Sequence, residues 1–151
     1  MKAPTYKQEQ SKELSWRVNY VNSLCSKYGT SNCIYVSVHV NAAGMGTNWM
    51  NARGWLVYTS KGNTKSDTLA TCLYKEAKEL LPSVRSDFSD GDPDYESDFY
   101  VLAKTKCPTV LTENLFQDNK EDVKFLTSEE GKSAIVKVHV NGIINYIKGI
   151  K

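Results

Sequence analysis

Cys33-Ile-Tyr-Val-Ser-Val-His-Val40 is a short run of β-branched, aromatic and other apolar side chains, with apolar residues on both of its alternating faces. It is too short for a good helix, and a strand apolar on both faces suits a sheet covered on both sides, so it is read as a central strand. Asn41-Ala-Ala-Gly-Met-Gly breaks the run. Upstream, Leu14, Val18, Val21, Leu24, Cys25 and Tyr28 recur at intervals of three and four and stop before Gly29, which predicts a helix closed by a glycine cap. Downstream, Trp55 to Thr59 offers a second strand before a turn at Lys61-Gly-Asn. Ser66 or Asp67 can then cap a helix whose Leu69, Cys72, Leu73, Ala77, Leu80 and Leu81 share one face and which Pro82 stops. After an acidic loop come strands at Phe99 to Ala103 and Thr109 to Thr112. Asn119 caps a short helix, and Ser128 opens a longer one that runs to about Lys148. Strands interleaved with helices predict an α/β fold, a sheet sandwiched by helices.

Composition sets the frame. A chain of 151 residues is one ordinary domain, read here as 1–151, and at this size about two thirds of the unfolded surface can be buried. A net charge of +2 lacks the basic excess of a phosphate-backbone binder, so nucleic acid is not an expected partner. No apolar run approaches the roughly 20 residues of a membrane span, and the N-terminus has no apolar signal region, so neither a membrane partner nor export is expected and the chain as written reads as cytoplasmic. Cys25, Cys33, Cys72 and Cys107 form no C-x-x-C pair and are read as buried free thiols.

The tetrapeptide Val-His-Val-Asn occurs twice, at 38–41 and 138–141, and each copy holds one of the two histidines. His139 falls in a helix among Ile135, Ile143, Tyr146 and Ile147, within the apolar stripe, and is read as a core histidine with a hydrogen-bond partner. His39 lies near the end of a strand. Glu113 follows the apolar run Pro108-Thr-Val-Leu-Thr and is placed where that strand runs out. If the two strands are parallel neighbours, imidazole and carboxylate face one pocket beyond the strand ends, a pairing that suits metal-activated water.

Ser37-Val-His-Val-Asn-Ala resembles the zinc-ligand motif of the zinc-dependent N-acetylmuramoyl-L-alanine amidases. Val110-Leu-Thr-Glu-Asn-Leu-Phe-Gln-Asp-Asn-Lys-Glu-Asp122 resembles the strand and loop that carry that family's catalytic glutamate. Leu14 to Asn22, Gly54-Trp-Leu-Val-Tyr58 and Gly142-Ile-Ile-Asn-Tyr146 resemble its flanking helix, next strand and closing helix. The resemblance implies an amidase/phosphorylase-like α/β fold with a mixed, largely parallel sheet. It also implies hydrolysis of the amide between N-acetylmuramic acid and L-alanine in peptidoglycan. In this comparison His39 matches a zinc ligand and Glu113 the general base, while Asn41 and Trp55 are taken as substrate contacts beside the cleft. Trp49, like Trp55, offers a flat ring for a sugar face, while Trp55, which begins a strand, suits a buried packing role at least as well.

The family's opening strand, with an Asp-x-Gly-His-Gly-like motif and a following glutamate ligand, has no counterpart here, so the zinc site is expected to be incomplete. N-terminal truncation is the favoured reading over a degenerate member or a chain completed by another polypeptide. A missing strand would expose apolar sheet, so self-association, or packing of the N-terminal segment into the gap, is expected. The alternative function is a non-catalytic peptidoglycan-binding or inactive domain on the same scaffold. Asp90, Asp92 and Asp94 alternate, but Gly91 and Pro93 do not suit an EF-hand loop, and the segment is read as a solvated rim near the cleft.

Overall fold

The computed structural model describes residues 6–149. In chain order these form α1 (Tyr6–Tyr28), a short 3-10 turn (Thr30–Asn32), β1 (Tyr35–Asn41), β2 (Leu56–Thr59), α2 (Lys65–Leu80), β3 (Tyr95–Glu96), α3 (Tyr100–Lys104), β4 (Thr109–Phe116), α4 (Lys120–Leu126) and α5 (Glu129–Gly149). The strands lie in the order β1-β4-β2-β3. β1 runs parallel to β4 and β2 parallel to β3, while β2 and β4 are antiparallel, which makes the sheet mixed and largely parallel. No helix among the described residues is long and apolar enough to cross a membrane.

Alternation along β4 supplies both halves of the core. Val110 points into a cluster with Trp55, Val57, Leu69, Leu73 and Val138, covered by α2 and α5. Its neighbour Leu111 points the other way, to Val18, Val101 and Leu102 of α1 and α3. β4 is therefore covered on both faces, and Glu113 is its one residue that is not fully buried. α2 and α5 approach closely because Gly142 has no side chain: a Cβ there would sit 2.9 Å from Leu73 Cα.

Several expectations change in detail. β1 is an edge strand rather than a central one, and Val38 and Val40 are 59% and 46% exposed. Apolar composition cannot distinguish a covered strand from one whose neighbour is elsewhere. The expected strand at Phe99 to Ala103 is the helix α3, because consecutive Val101 and Leu102 are both buried against α1. A helical turn can place neighbours on one side, whereas a strand sends them to opposite faces. Thr64, not Ser66 or Asp67, caps α2, and Asp67 closes a capping box with it. Ser66 instead accepts a hydrogen bond from the Thr109 amide at 3.0 Å. Asn119 caps α4 as expected, accepting from the amides of Glu121 and Asp122. The acidic loop does not border the strand ends that carry Glu113. It packs against Thr59 at the far end of β2, about 10 Å along the strands. Residues 1–5, on which packing of the N-terminal segment would in part depend, lie outside the described residues.

Candidate active site

His39 and Glu113 are register partners on the adjacent parallel strands β1 and β4, so their side chains leave the same face of the sheet side by side. Leu56 of β2 lies on the other side of Glu113. β4 does not end at Glu113 but continues to Phe116, which holds the glutamate in the ladder instead of at its tip. The pairing foreseen on parallel strands is present, with Glu113 more rigidly placed than expected.

Burial pushes the Glu113 carboxyl up from its ordinary value near 4.5 to about 7, and one of its oxygens, Oε2, is buried without a hydrogen-bond partner. Among the described residues no ion pair holds the carboxylate. Burial, and then the charge of Arg17 on α1, hold the His39 imidazole below its ordinary range, so it is neutral at pH 7 and has a ring lone pair available. Nε2 of His39 contacts Ser37 Oγ at 2.9 Å. A neutral imidazole beside a carboxyl that titrates near neutrality can ligate a metal and exchange a proton with water.

The backbone under this pair is fixed by Asn114. Its amide nitrogen donates to His39 O at 2.9 Å and to Thr112 Oγ1 at 3.3 Å, and its oxygen accepts from Trp55 Nε1 at 3.0 Å. One buried side chain thus ties β1, β4 and the start of β2 together. Beside it Leu115 has φ 69°, and the β1–β4 register slips between His39 and Asn41. A bulky residue in the left-handed region costs of order 1–3 kcal/mol, and the kink lets Asn114 and Leu115 both reach the α2/α5 core. The network continues to the second histidine: Thr112 Oγ1 lies 2.9 Å from His139 Nε2, and His139 Nδ1 lies 2.8 Å from Ile135 O. A carbonyl only accepts, so Nδ1 donates a hydrogen bond to Ile135 O while Nε2 shares one with Thr112 Oγ1. His139 is a bonded core histidine, as its helical position suggested.

The loops above the strands are pinned by two acids. Asp118 Oδ2 accepts from the amides of Ala43 and Gly44 at 2.8 and 2.7 Å. Asp122 Oδ2 accepts from the amides of Gly54 and Phe116 at 2.8 and 3.0 Å, with Arg53 nearby at 3.4 Å. Asn41 turns its side-chain oxygen onto the Ala42 amide at 2.8 Å and so shapes the same loop. Trp55 corrects an expectation: it has 0% exposure, so its ring packs in the core and offers no face to a sugar. Trp49, 55% exposed and with Lys120 Nζ 5.9 Å from its ring centre, is the free ring on this side. The positioning roles of Asn114 and Asp122 were not read from the sequence. Their signal was there, because polar residues within or just after a buried run must find partners.

A cavity of about 990 Å³ lies at the other end of the sheet, lined by Thr30, Thr64, Lys106 and Pro108 among others, and touches neither His39 nor Glu113. Catalytic zinc usually takes three protein ligands. His39 suits one of them, but among the described residues no third His, Cys, Asp or Glu clusters with His39 and Glu113. These residues alone do not complete a catalytic zinc set.

A family model described as N-acetylmuramoyl-L-alanine amidase matches residues 3–145. The N-acetylmuramoyl-L-alanine amidase CwlM of Bacillus licheniformis is 30% identical over 135 residues, covering 89% of this chain and 46% of that protein. An endolysin of Bacillus phage SPP1 is 31% identical over 113 residues, covering 73% of this chain and 38% of the endolysin. The chain therefore spans less than half the length of these two relatives. Among solved structures, the CwlD amidase of Clostridioides difficile, in complex with the GerS lipoprotein, superposes with a TM-score of 0.74 at 24% identity, covering 96% of this chain and 66% of that one. The catalytic domain of CwlV from Bacillus (Paenibacillus) polymyxa gives 0.69 at 21%, covering 89% and 65%. With a family match over nearly its whole length and a fold that superposes on solved amidases, this chain belongs to the N-acetylmuramoyl-L-alanine amidase family.

Proposed function

We propose that the chain forms part of a peptidoglycan hydrolase that cleaves the amide between N-acetylmuramic acid and the L-alanine of the stem peptide. The observation that carries this reading is the side-by-side placement of His39 and Glu113, the glutamate having a buried, unpartnered oxygen. Glu113 is the group that takes a proton from water and returns it to the leaving amine; a carboxyl pushed up to about 7 suits both transfers at neutral pH. His39 supplies one ligand of a zinc centre, and no other described residue clusters with it and Glu113 to supply the rest. Asn41 and the exposed Trp49 border the substrate cleft, the first through its loop and the second as a stacking surface for sugar.

Stem-peptide release from purified cell wall tests the proposal. With zinc supplied, the protein that joins this chain to the remaining zinc ligands releases peptide and its Glu113→Gln variant does not, while both still pellet with the wall. Zinc bound per chain, measured by elemental analysis, falls in His39→Ala. The incomplete ligand set favours a second reading, a wall-binding domain without catalysis. Pelleting without any peptide release, whatever the zinc concentration, would establish that reading instead. Self-association belongs to the same proposal, with the exposed apolar end of β1 as its contact surface.

A further inference from the structure

Away from the His39–Glu113 pair, three carboxylates from distant parts of the chain converge. Asp67 comes from the first turn of α2, and Asp92 and Asp94 from the loop before β3; each offers an oxygen within 4.8 Å of those of the other two. Asp94 is 3% exposed. One of its oxygens accepts from Thr59 Oγ1, while Oδ1 is buried with no hydrogen-bond partner, as is Oδ1 of Asp92. Asp67 is engaged with the amide and hydroxyl of Thr64. The charges felt by Asp94 are those of Asp92 and Asp67, and those felt by Asp67 are Asp92 and Asp90. The lysine of the neighbouring loop, Lys61, is paired with Asp98 at 2.7 Å. Buried carboxylates of like charge with no base among them are strongly unfavourable unless a cation or a proton joins them.

We propose that Asp67, Asp92 and Asp94 bind a hard divalent cation of calcium's size, which fastens the acidic loop and β3 to the N-terminus of α2. The donors are all oxygens, the set that hard cations take, and two Ca–O bonds of about 2.4 Å end to end span the separation of these oxygens. The site is not an EF-hand. One ligand comes from a helix many residues upstream, which is why the spacing of the loop alone argued against calcium. Its position beside Thr59, at the opposite end of β2 from the strand end facing Glu113, gives the ion a structural role rather than a catalytic one. The competing arrangement is a proton shared between Asp92 and Asp94. In the absence of a cation, burial and the neighbouring Asp92 push Asp94 up to about 7, the condition under which such a proton would be held.

The whole chain, stripped with chelator and held at pH 8, would be titrated with calcium chloride in a calorimeter and melted with and without calcium or magnesium. The expected result is one calcium site and a rise in Tm of roughly 5–10 °C at about a hundredfold excess over Kd. His39→Ala keeps that response, which separates the site from the one beside Glu113, and Asp94→Asn loses it. Should Asp94→Asn fail to fold, Asp92→Asn, at a less buried position, serves the same purpose. Absence of both binding heat and Tm shift with calcium would overturn the proposal in favour of the shared proton. A full calcium response in Asp92→Asn would overturn the site, and a response to magnesium alone would overturn the assignment of size.

Discussion

Glu113 sits in an otherwise buried strand, and its chemistry follows from that position. Its folded pKa of about 7 lies above the ordinary value near 4.5, so the folded state favours the protonated form. The associated stability is fully present below about pH 4.5 and is lost as pH rises through 7. Glu113→Gln should therefore match wild type near pH 4.5 and exceed it near pH 8, by no more than about 1–2 kcal/mol once partial exposure is allowed for. Urea unfolding at the two pH values measures this, and equal differences at both would contradict the assigned environment. Activity should rise through pH 7 as the carboxyl ionises, and a pH–rate profile flat from 6 to 8 would remove Glu113 as the base. Asn114 makes a separate residue-scale prediction. Asn114→Ala leaves the Trp55 N–H and the His39 carbonyl without their partner and should cost about 1–3 kcal/mol. Because it also frees the β1 backbone, peptide release should fall more than stability alone explains.

Among the elements, α2 and α5 carry the larger part of the core, and their spacing is set at Gly142. Gly142→Ala improves helix propensity but drives a methyl group against Leu73 Cα, and overpacking of this kind costs about 1–3 kcal/mol. A lower Tm is the expected outcome; an unchanged or higher one would mean that the two helices can slide apart freely. The element scale also separates what was legible from what was not. α1, α2 and α5 show the period of a buried helix face, and Asn119 and Ser128 mark starts that the structure uses. α3 reads as a strand in the sequence because Phe-Tyr-Val-Leu-Ala has β propensity locally, whereas its conformation is chosen by the pocket that takes Val101 and Leu102 together.

At the scale of the whole molecule, the sheet of the described residues has two edge strands, β1 and the two-residue β3, and the longer open edge is that of β1. Val38 is the register partner of Thr112, which bonds His139 of α5, so the exposed valines share the side of the sheet that α5 covers. On α5 itself, Val136, Val140, Ile144 and Ile147 are exposed at intervals of three and four. This apolar surface is the basis for expecting self-association. Light scattering should show an oligomer at high protein concentration that Val38→Lys with Val40→Lys disperses. A monodisperse wild-type monomer under the same conditions would remove the expectation.

Local pattern determined the helices α1, α2, α4 and α5, the strands at 35–41 and 56–59, and the two residues worth joining, His39 and Glu113, because periodicity and polarity are written residue by residue. Only the tertiary structure decided that these two lie side by side in register, that Trp55 is enclosed while Trp49 is free, that Asn114 joins three strands, and that Asp67 meets Asp92 and Asp94. Each of these depends on contacts between residues far apart in the chain. Burial, pKa and hydrogen-bond partnership are properties of such contacts, which no short stretch of sequence contains.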